Sequence, residues 1–283
     1  MNETLYFYLP LVPLLAIELI INRRAEYVVY EKKETAATLF LIGLKIVPFF
    51  FVPQVISNQL FYYVNVFSCH PYIAGFYINN KLFNGVTLPF YLKFFCLFIF
   101  TDFAYYVWHR MNHKINILWA SHFTHHSFKK MSLLAGLRTP YDLFTVFVLT
   151  SWIFFLPLLF GYTVYEVWTC ICIQQAYGAI THTNLNVSYG FMEHVLVSPQ
   201  HHRLHHCIRP QAKTVNFGSF FIIWDKIFGT FEKEISSQQY EYGVAGFHSG
   251  GDFFKINFSI YGSILKNIRN CKSFKDLFKA LFF

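Results

Sequence analysis

Histidine is the residue type whose placement in this chain most strongly suggests chemistry. Thirteen histidines are present, and twelve of them follow residue 108. HRMNH spaces two histidines at i and i+4, and HFTHH and HRLHH each space three at i, i+3 and i+4. On a helix these spacings share one face, and neutral imidazole is a common ligand of iron, zinc and copper. With the histidine of THTN, the candidate metal ligands are His109, His113, His122, His125, His126, His182, His202, His205 and His206.

The number of these histidines suggests two metal ions. One metal seldom takes more than about six ligands, and nine imidazoles exceed that. A single HxxxH is often structural, but two HxxHH boxes together with an HxxxH box favour a metal-binding site. His70, His194 and His248 match no box, and His201 directly precedes the third box. We expect these four histidines not to bind metal directly.

Acidic residues near the boxes are few, so the predicted ligand shell is neutral and all-nitrogen. Ligating histidines usually donate their other ring N–H to a carboxylate or a carbonyl. Asp102 lies seven residues before His109, two helical turns back on the same face. Asp102, Glu193 and Asp225 are the candidate supporting carboxylates, and Asn184 is a further polar group near the predicted centre.

The composition favours a membrane protein. Hydrophobic residues make up 55% of the 283 residues and charged residues only 13%, against about 25% charged in ordinary soluble domains. Apolar stretches near 4–22, 37–56 and 87–107 are each long enough to span a bilayer, and 142–181 has room for a helical hairpin. The predicted fold is an all-α membrane bundle of about four to five spans with a histidine-rich helical cap.

The positive charges predict the orientation of this bundle. Twenty of the 23 lysines and arginines fall in segments 23–36, 108–141 and 182–283, which the predicted topology places on one side. The positive-inside rule makes that side cytoplasmic. The histidine boxes lie on the same side, and the net charge of +8 fits a membrane surface better than nucleic acid.

Three regions are predicted along the chain. Residues 1–84 form N-terminal membrane helices, residues 85–235 form the catalytic region with the boxes, and residues 236–283 form a basic amphipathic tail. The tail is expected either to lie on the membrane surface or to pack as an ordinary terminal helix with a solvated basic face.

Between about residues 85 and 235 the chain resembles the fatty acid hydroxylase superfamily of sterol-desaturase-like membrane oxygenases. The resemblance rests on DFAYYVWHRMNH, LWASHFTHHS, HTNLNVSYGFMEHVLVSPQHHRLHH and IIWDKIFGTF. The last two are similar to segments of alkylglycerol monooxygenase and its bacterial relatives. Lys114 departs from that enzyme, which has a glutamate directly after its first box.

The resemblance implies a non-haem centre of two Fe2+ ions held by the nine histidines, with O2 as co-substrate. It implies attack on a C–H bond of a lipid or sterol-like substrate that enters from the bilayer. Hydroxylation is the simplest outcome, and desaturation and ether cleavage remain open. We find no flavin, haem or nicotinamide motif, so an external electron donor is expected, and a basic surface would suit a ferredoxin or a cytochrome b5.

Two other classes of function compete with an oxygenase. A membrane metal transporter or metal-binding protein would carry its ligands along the middle of several spans, whereas these histidines follow the spans on one side. A zinc hydrolase would need a general base such as the glutamate of HExxH, and HRMNH has none.

Overall fold

The computed structural model describes residues 11–24, 30–51, 81–82, 86–87, 89–138, 153, 157, 162–208, 214–233 and 240–282. The helices are α1 Leu11–Arg24, α2 Lys32–Phe51, α3 Phe90–Lys114, α4 Asn116–His126, α5 Leu133–Gly136, α6 Val164–Thr181, α7 Pro199–His206, α8 Ile223–Ile227, α9 Phe253–Arg269 and α10 Phe274–Phe282. A 3₁₀ turn covers Gly190–His194, and strands β1 Lys81–Leu82 and β2 Val86–Thr87 pair antiparallel. Apart from this small hairpin, the regular structure in the described residues is helical, as the sequence predicts.

Helix α3 is the membrane-span candidate within the described residues. Its 25 residues are long and apolar enough to cross a bilayer, and only 22% of its apolar window is buried inside the protein. Parts of the predicted spans 4–22 and 37–56, and most of the first half of the hairpin 142–181, lie outside the described residues. The bundle of four to five spans therefore stays a prediction.

The end of α3 sets the position of the second histidine box. Ile115 is extended (φ −113°, ψ 117°), so it both ends α3 and precedes α4. The chain changes direction there, and α4 packs back against α3. Every residue from Ala120 to His126 is buried, which places the box in the protein interior.

Capping residues define the helices that carry the remaining histidines. Ser198 caps α7, where Pro199 occupies the first helical turn and the His201 ring accepts the Ser198 N–H. Thr163 and Glu166 form a capping box at the start of α6. Helix α6 then runs to Thr181, with His182 directly after its last turn.

The C-terminal helices cover the outside of α4. Ile256 and Ile264 of α9 are buried, and the Thr124 hydroxyl donates to the Ile256 carbonyl at 3.0 Å. The opposite side of α9 exposes Phe254 and Phe258. Helix α9 thus packs one face against the protein and leaves a second apolar face outward.

Candidate metal centre

All nine predicted ligands meet in the protein interior as two adjacent groups. In each group the nearest ring nitrogens lie within 4.8 Å of one another. We call them the five-histidine group and the four-histidine group. The five-histidine group consists of His109, His113, His122, His126 and His205, and the four-histidine group consists of His125, His182, His202 and His206.

Each HxxHH box contributes to both groups. In α4, His122 and His126 belong to the five-histidine group, and His125 belongs to the other. In α7 the assignment is reversed, because His202 and His206 belong to the four-histidine group. The i, i+4 pair of each box therefore faces one group, and the remaining histidine faces the neighbouring one.

Backbone carbonyls fix the ring orientation of four of these histidines. The Nδ1 atoms lie 2.5–3.0 Å from carbonyl oxygens, with the pairs His109–Phe217, His125–Arg138, His182–Gly178 and His205–Val215. A carbonyl only accepts hydrogen bonds, so Nδ1 must carry the proton in each case. In a neutral ring the Nε2 atom is then a bare lone pair, the form that binds a metal.

In the four-histidine group the Nε2 lone pairs of His125 and His182 face each other. Nε2 of His125 lies 3.1 Å from Nε2 of His182, although neither atom has a proton to donate. Nε2 of His202 lies 2.9 Å from the same His182 atom. Ligands at right angles around a metal with bonds of about 2.1 Å lie roughly 3 Å apart. The contact between His125 and His182 is repulsive without a cation between the two lone pairs, and both distances fit a metal ion.

The five-histidine group also has nitrogens that need a partner. Nε2 of His109 and of His205, and both ring nitrogens of His113, are buried without a hydrogen bond. Buried polar atoms are nearly always satisfied, so such orphans need an explanation. A metal ion at this group supplies one for the Nε2 atoms of His109 and His205.

Burial keeps these imidazoles neutral. Burial first, and the neighbouring imidazoles second, lower the pKa of His122, His126, His202 and His206 well below the usual value. Burial likewise lowers the pKa of His205 to about 3. At neutral pH each ring therefore offers a lone pair without first losing a proton.

Asp225 and Asp102 support the histidines indirectly, through the loop whose carbonyls orient two imidazole rings. Asp225 accepts hydrogen bonds from the Phe217 and Gly218 amides, both at 2.8 Å, and from the Thr230 hydroxyl at 2.7 Å. Burial raises the pKa of Asp225 to about 6 against the effect of these hydrogen bonds, which leaves the carboxylate ionised at neutral pH. It therefore holds the peptide whose carbonyl orients His109.

Asp102 anchors the other end of the same loop. It accepts the amides of Phe220 and Phe221 at 3.0 and 3.1 Å and the indole N–H of Trp224 at 2.9 Å. The sequence suggested that these carboxylates take an imidazole N–H directly. The structure instead gives that role to carbonyls and uses the carboxylates to fix the loop that bears them.

The other polar residues singled out in the sequence lie outside the two groups. Glu193 accepts hydrogen bonds from the Ser188 hydroxyl and the Tyr189 amide. His201 caps α7, and Asn184 forms a reciprocal amide pair with Asn22 of α1. His194 and His248 are not members of either group, and His70 lies outside the described residues.

Three supporting features were not identified in the sequence. Asn216 adopts a left-handed conformation (φ 54°) between the carbonyls of Val215 and Phe217. Arg138 is buried and pairs with Glu34 at 2.6 Å, while its carbonyl orients His125. Glu18 is fully buried on α1. Of these residues, only Glu18 could have been identified from the sequence, since an acidic residue within an apolar helix is a functional candidate by default.

A known family matches the region of the chain that contains the two histidine groups. The family described as fatty acid hydroxylase matches residues 94–230. Human alkylglycerol monooxygenase is 35% identical over 187 residues, which cover 65% of this chain and 40% of that protein. The Xenopus tropicalis protein of the same name is 37% identical over 137 residues, 48% of this chain and 30% of that protein.

A bacterial relative matches more weakly. The ornithine lipid hydroxylase of Rhizobium tropici is 26% identical over 148 residues, 52% of this chain and 44% of that protein. The aligned segments thus span less than half the length of these curated relatives. No solved structure matches the chain. The matched region contains all nine histidines of the two groups, and over residues 94–230 this chain is similar to the fatty acid hydroxylase family.

Proposed function

We propose that this protein is a membrane-bound non-haem di-iron oxygenase that uses O2 to hydroxylate a C–H bond of a lipid. The observation that carries the proposal is the paired arrangement of nine histidines, eight of them buried, in which the Nε2 lone pairs of His125 and His182 face each other. Two neighbouring metal ions satisfy these nitrogens. The family match favours iron, and the printed names of the relatives, alkylglycerol monooxygenase and ornithine lipid hydroxylase, favour oxidation of a lipid.

The ligand set defines the centre that the chain would build. The five-histidine group would hold one ion and the four-histidine group the other, with neutral imidazoles throughout. Two bound Fe2+ ions would supply electrons to O2, the oxidant that is needed to attack an unactivated C–H bond. Imidazole also suits zinc and copper, so the identity of the metal rests on the family rather than on ligand chemistry.

The protein itself provides order and a dry environment. Four carbonyls lock the tautomers of His109, His125, His182 and His205. Aromatic rings surround the imidazoles, among them Phe128, whose ring centroid lies 4.9 Å from that of His206, and Phe217, 5.7 Å from His109. Such a shell limits the access of water and thereby protects reactive species from side reactions.

The alternatives receive less support from the described residues. A zinc hydrolase needs a free carboxylate as general base, but Asp102 and Asp225 already accept three hydrogen bonds each. A transporter needs ligands spread along a path, whereas the nine histidines form a closed pair of groups. A desaturase with the same site remains the second candidate, because the ligand set does not distinguish the two outcomes.

We propose that the protein crosses the membrane several times and has its histidine boxes on the cytoplasmic side. The lipid or sterol-like substrate would enter from the bilayer beside the exposed apolar face of α3. Electrons would come from a separate acidic carrier of the ferredoxin or cytochrome b5 type, drawn to a basic chain of net charge +8.

Isotopic labelling tests the proposed reaction. Membranes that contain the protein are incubated with labelled O2 and a reductant, and their lipids are analysed by mass spectrometry. We expect a lipid product with one labelled oxygen atom, absent from His205→Ala and present in His194→Ala, a matched exposed histidine outside both groups. A product that loses two hydrogens without gaining oxygen would favour the desaturase. If iron-loaded protein yields no oxidised lipid, the proposal is overturned.

A further inference from the structure

Helix α1 carries a buried carboxylate whose partners are all remote in the sequence. Glu18 is 0% exposed. Its oxygens accept hydrogen bonds from the Thr183 hydroxyl at 2.7 Å, from the Leu133 amide at 3.1 Å, and from the Tyr30 hydroxyl. A buried charge is costly unless it is fully hydrogen-bonded, so this carboxylate is committed to these donors.

Thr183 directly follows a member of the four-histidine group. The Glu18–Thr183 hydrogen bond therefore fixes the backbone just beyond His182. One turn further along α1, Asn22 exchanges two amide hydrogen bonds with Asn184, at 3.1 and 2.7 Å. Glu18 and Asn22, at positions i and i+4 of α1, thus hold two consecutive residues just beyond His182.

The Leu133 amide connects Glu18 to the other side of the same group. Leu133 begins α5, whose Gly136 contacts the His182 ring so closely that a Cβ atom there would lie 2.8 Å from Nδ1. Two residues later the Arg138 carbonyl accepts the Nδ1 proton of His125 at 3.0 Å. One carboxylate therefore anchors both segments that orient His125 and His182.

The same contacts do not reach the five-histidine group. Its supporting carbonyls, Val215 and Phe217, belong to the loop held by Asp225 and Asp102. The two groups consequently have separate supports, one from α1 and one from the loop before α8.

We infer that Glu18 is a positioning residue for the metal of the four-histidine group, and that α1 is part of the metal centre. This inference rests on the metal binding that the proposed function requires. Loss of the carboxylate leaves Thr183 and Leu133 free to shift, which separates His125 from His182. Removal of a group that orients metal ligands typically weakens metal binding by about 10–100-fold. The five-histidine group should keep its affinity.

The test is a cobalt(II) titration of the metal-stripped, full-length protein in detergent, in which visible absorption measures the bound metal. The variants are Glu18→Gln and Thr183→Val, which removes the same hydrogen bond from the other side. Glu166→Gln is the matched control, because Glu166 is a largely buried glutamate at the opposite end of the helix that leads to His182, paired with Lys93. We expect wild type and Glu166→Gln to bind two equivalents tightly.

The double variants identify which metal is lost. Glu18→Gln should bind one equivalent tightly and the second about 10–100-fold more weakly. Glu18→Gln combined with His205→Ala should leave no tight site, whereas its combination with His202→Ala should leave one. Thr183→Val should act in the same direction as Glu18→Gln, which keeps the test valid if Glu18→Gln does not fold.

The outcomes separate this inference from the proposed function. Two tight equivalents in both Glu18→Gln and Thr183→Val would overturn the inference and leave the metal centre intact. Equal weakening of both metals would also overturn it, because the role would then be general stability. A wild-type protein that binds no cobalt would instead contradict the proposed function itself.

Discussion

Asp225 offers the most quantitative test of how the five-histidine group is held. Its carboxylate accepts the buried amides of Phe217 and Gly218 and the Thr230 hydroxyl. The hydroxyl can turn toward Tyr106, 2.9 Å away, but the amides have no such alternative. A buried donor that loses its acceptor costs about 1–3 kcal/mol. Asp225→Ala should therefore lower the free energy of unfolding by about 2–6 kcal/mol, and Asp225→Asn, which keeps one acceptor oxygen, by about 1–3 kcal/mol.

The effect on the metal centre should be selective. The Phe217 carbonyl orients His109 at 2.8 Å and the Val215 carbonyl orients His205 at 2.8 Å, so both rings depend on this loop. Asp225→Asn should weaken one of two metals by about 10–100-fold, and this metal should be the one that Glu18→Gln spares.

Two measurements together check this reasoning. Thermal unfolding in detergent gives the stability, and a metal titration of stripped protein gives the affinities. Asp276→Asn, at an exposed aspartate of α10, is the control and should match wild type in both. If Asp225→Asn keeps both tight metals and the wild-type unfolding midpoint, the proposed link from carboxylate to peptide to imidazole is refuted.

Three further predictions concern other supports of the site. Gly136→Ala should displace His182, because the new Cβ would lie 2.8 Å from its Nδ1 atom, and elemental analysis should show loss of metal. Asn216→Ala should be less stable in thermal unfolding than Asn216→Gly by about 1 kcal/mol, since both lose the side-chain hydrogen bonds but only alanine resists the positive φ; equal midpoints would contradict this. Burial raises the pKa of Glu34, but the charge of Arg138 and the hydrogen bond from Ser249 outweigh it and hold the pKa below 4.5. A carboxyl with a lowered pKa stabilises the fold above its unfolded pKa and loses that contribution on acidification. The stability gap between wild type and Glu34→Gln should therefore be full at neutral pH and shrink below pH 4.5; a constant gap would refute it.

The sequence identifies nine candidate ligands but not their division into two groups. Spacings of i, i+3 and i+4 show only that three imidazoles share a side of a helix. Whether His125 joins the same group as His122 depends on the packing of α4 against α3 and α7. The division into five and four histidines therefore emerges only in three dimensions.

The supports of the ligands were harder to predict for a different reason. Any residue has a carbonyl, so no side-chain pattern marks Phe217, Val215 or Gly178 as the acceptor of an imidazole proton. Asp102 and Asp225 were found because they are charged and near the boxes, yet their partners turned out to be amides. Glu18 lies 165 residues before Thr183, and only the fold brings the two together.

The number of membrane spans and their orientation remain predictions from composition and charge. Helix α3 meets the requirement for a span within the described residues. Parts of the hydrophobic stretches before it, and most of the stretch between α5 and α6, fall outside them. Side-specific labelling of single cysteines placed after His113 and before His202 would test the cytoplasmic assignment.

The most direct test of the central claim is the iron content of untagged protein purified without oxygen and measured by elemental mass spectrometry. The two histidine groups predict two irons per chain, with about one iron retained in Asp225→Asn and in Glu18→Gln under dilute conditions. One zinc and no iron in protein from iron-rich cells would contradict the oxygenase. Well-folded protein without any bound metal would contradict the metal centre as a whole.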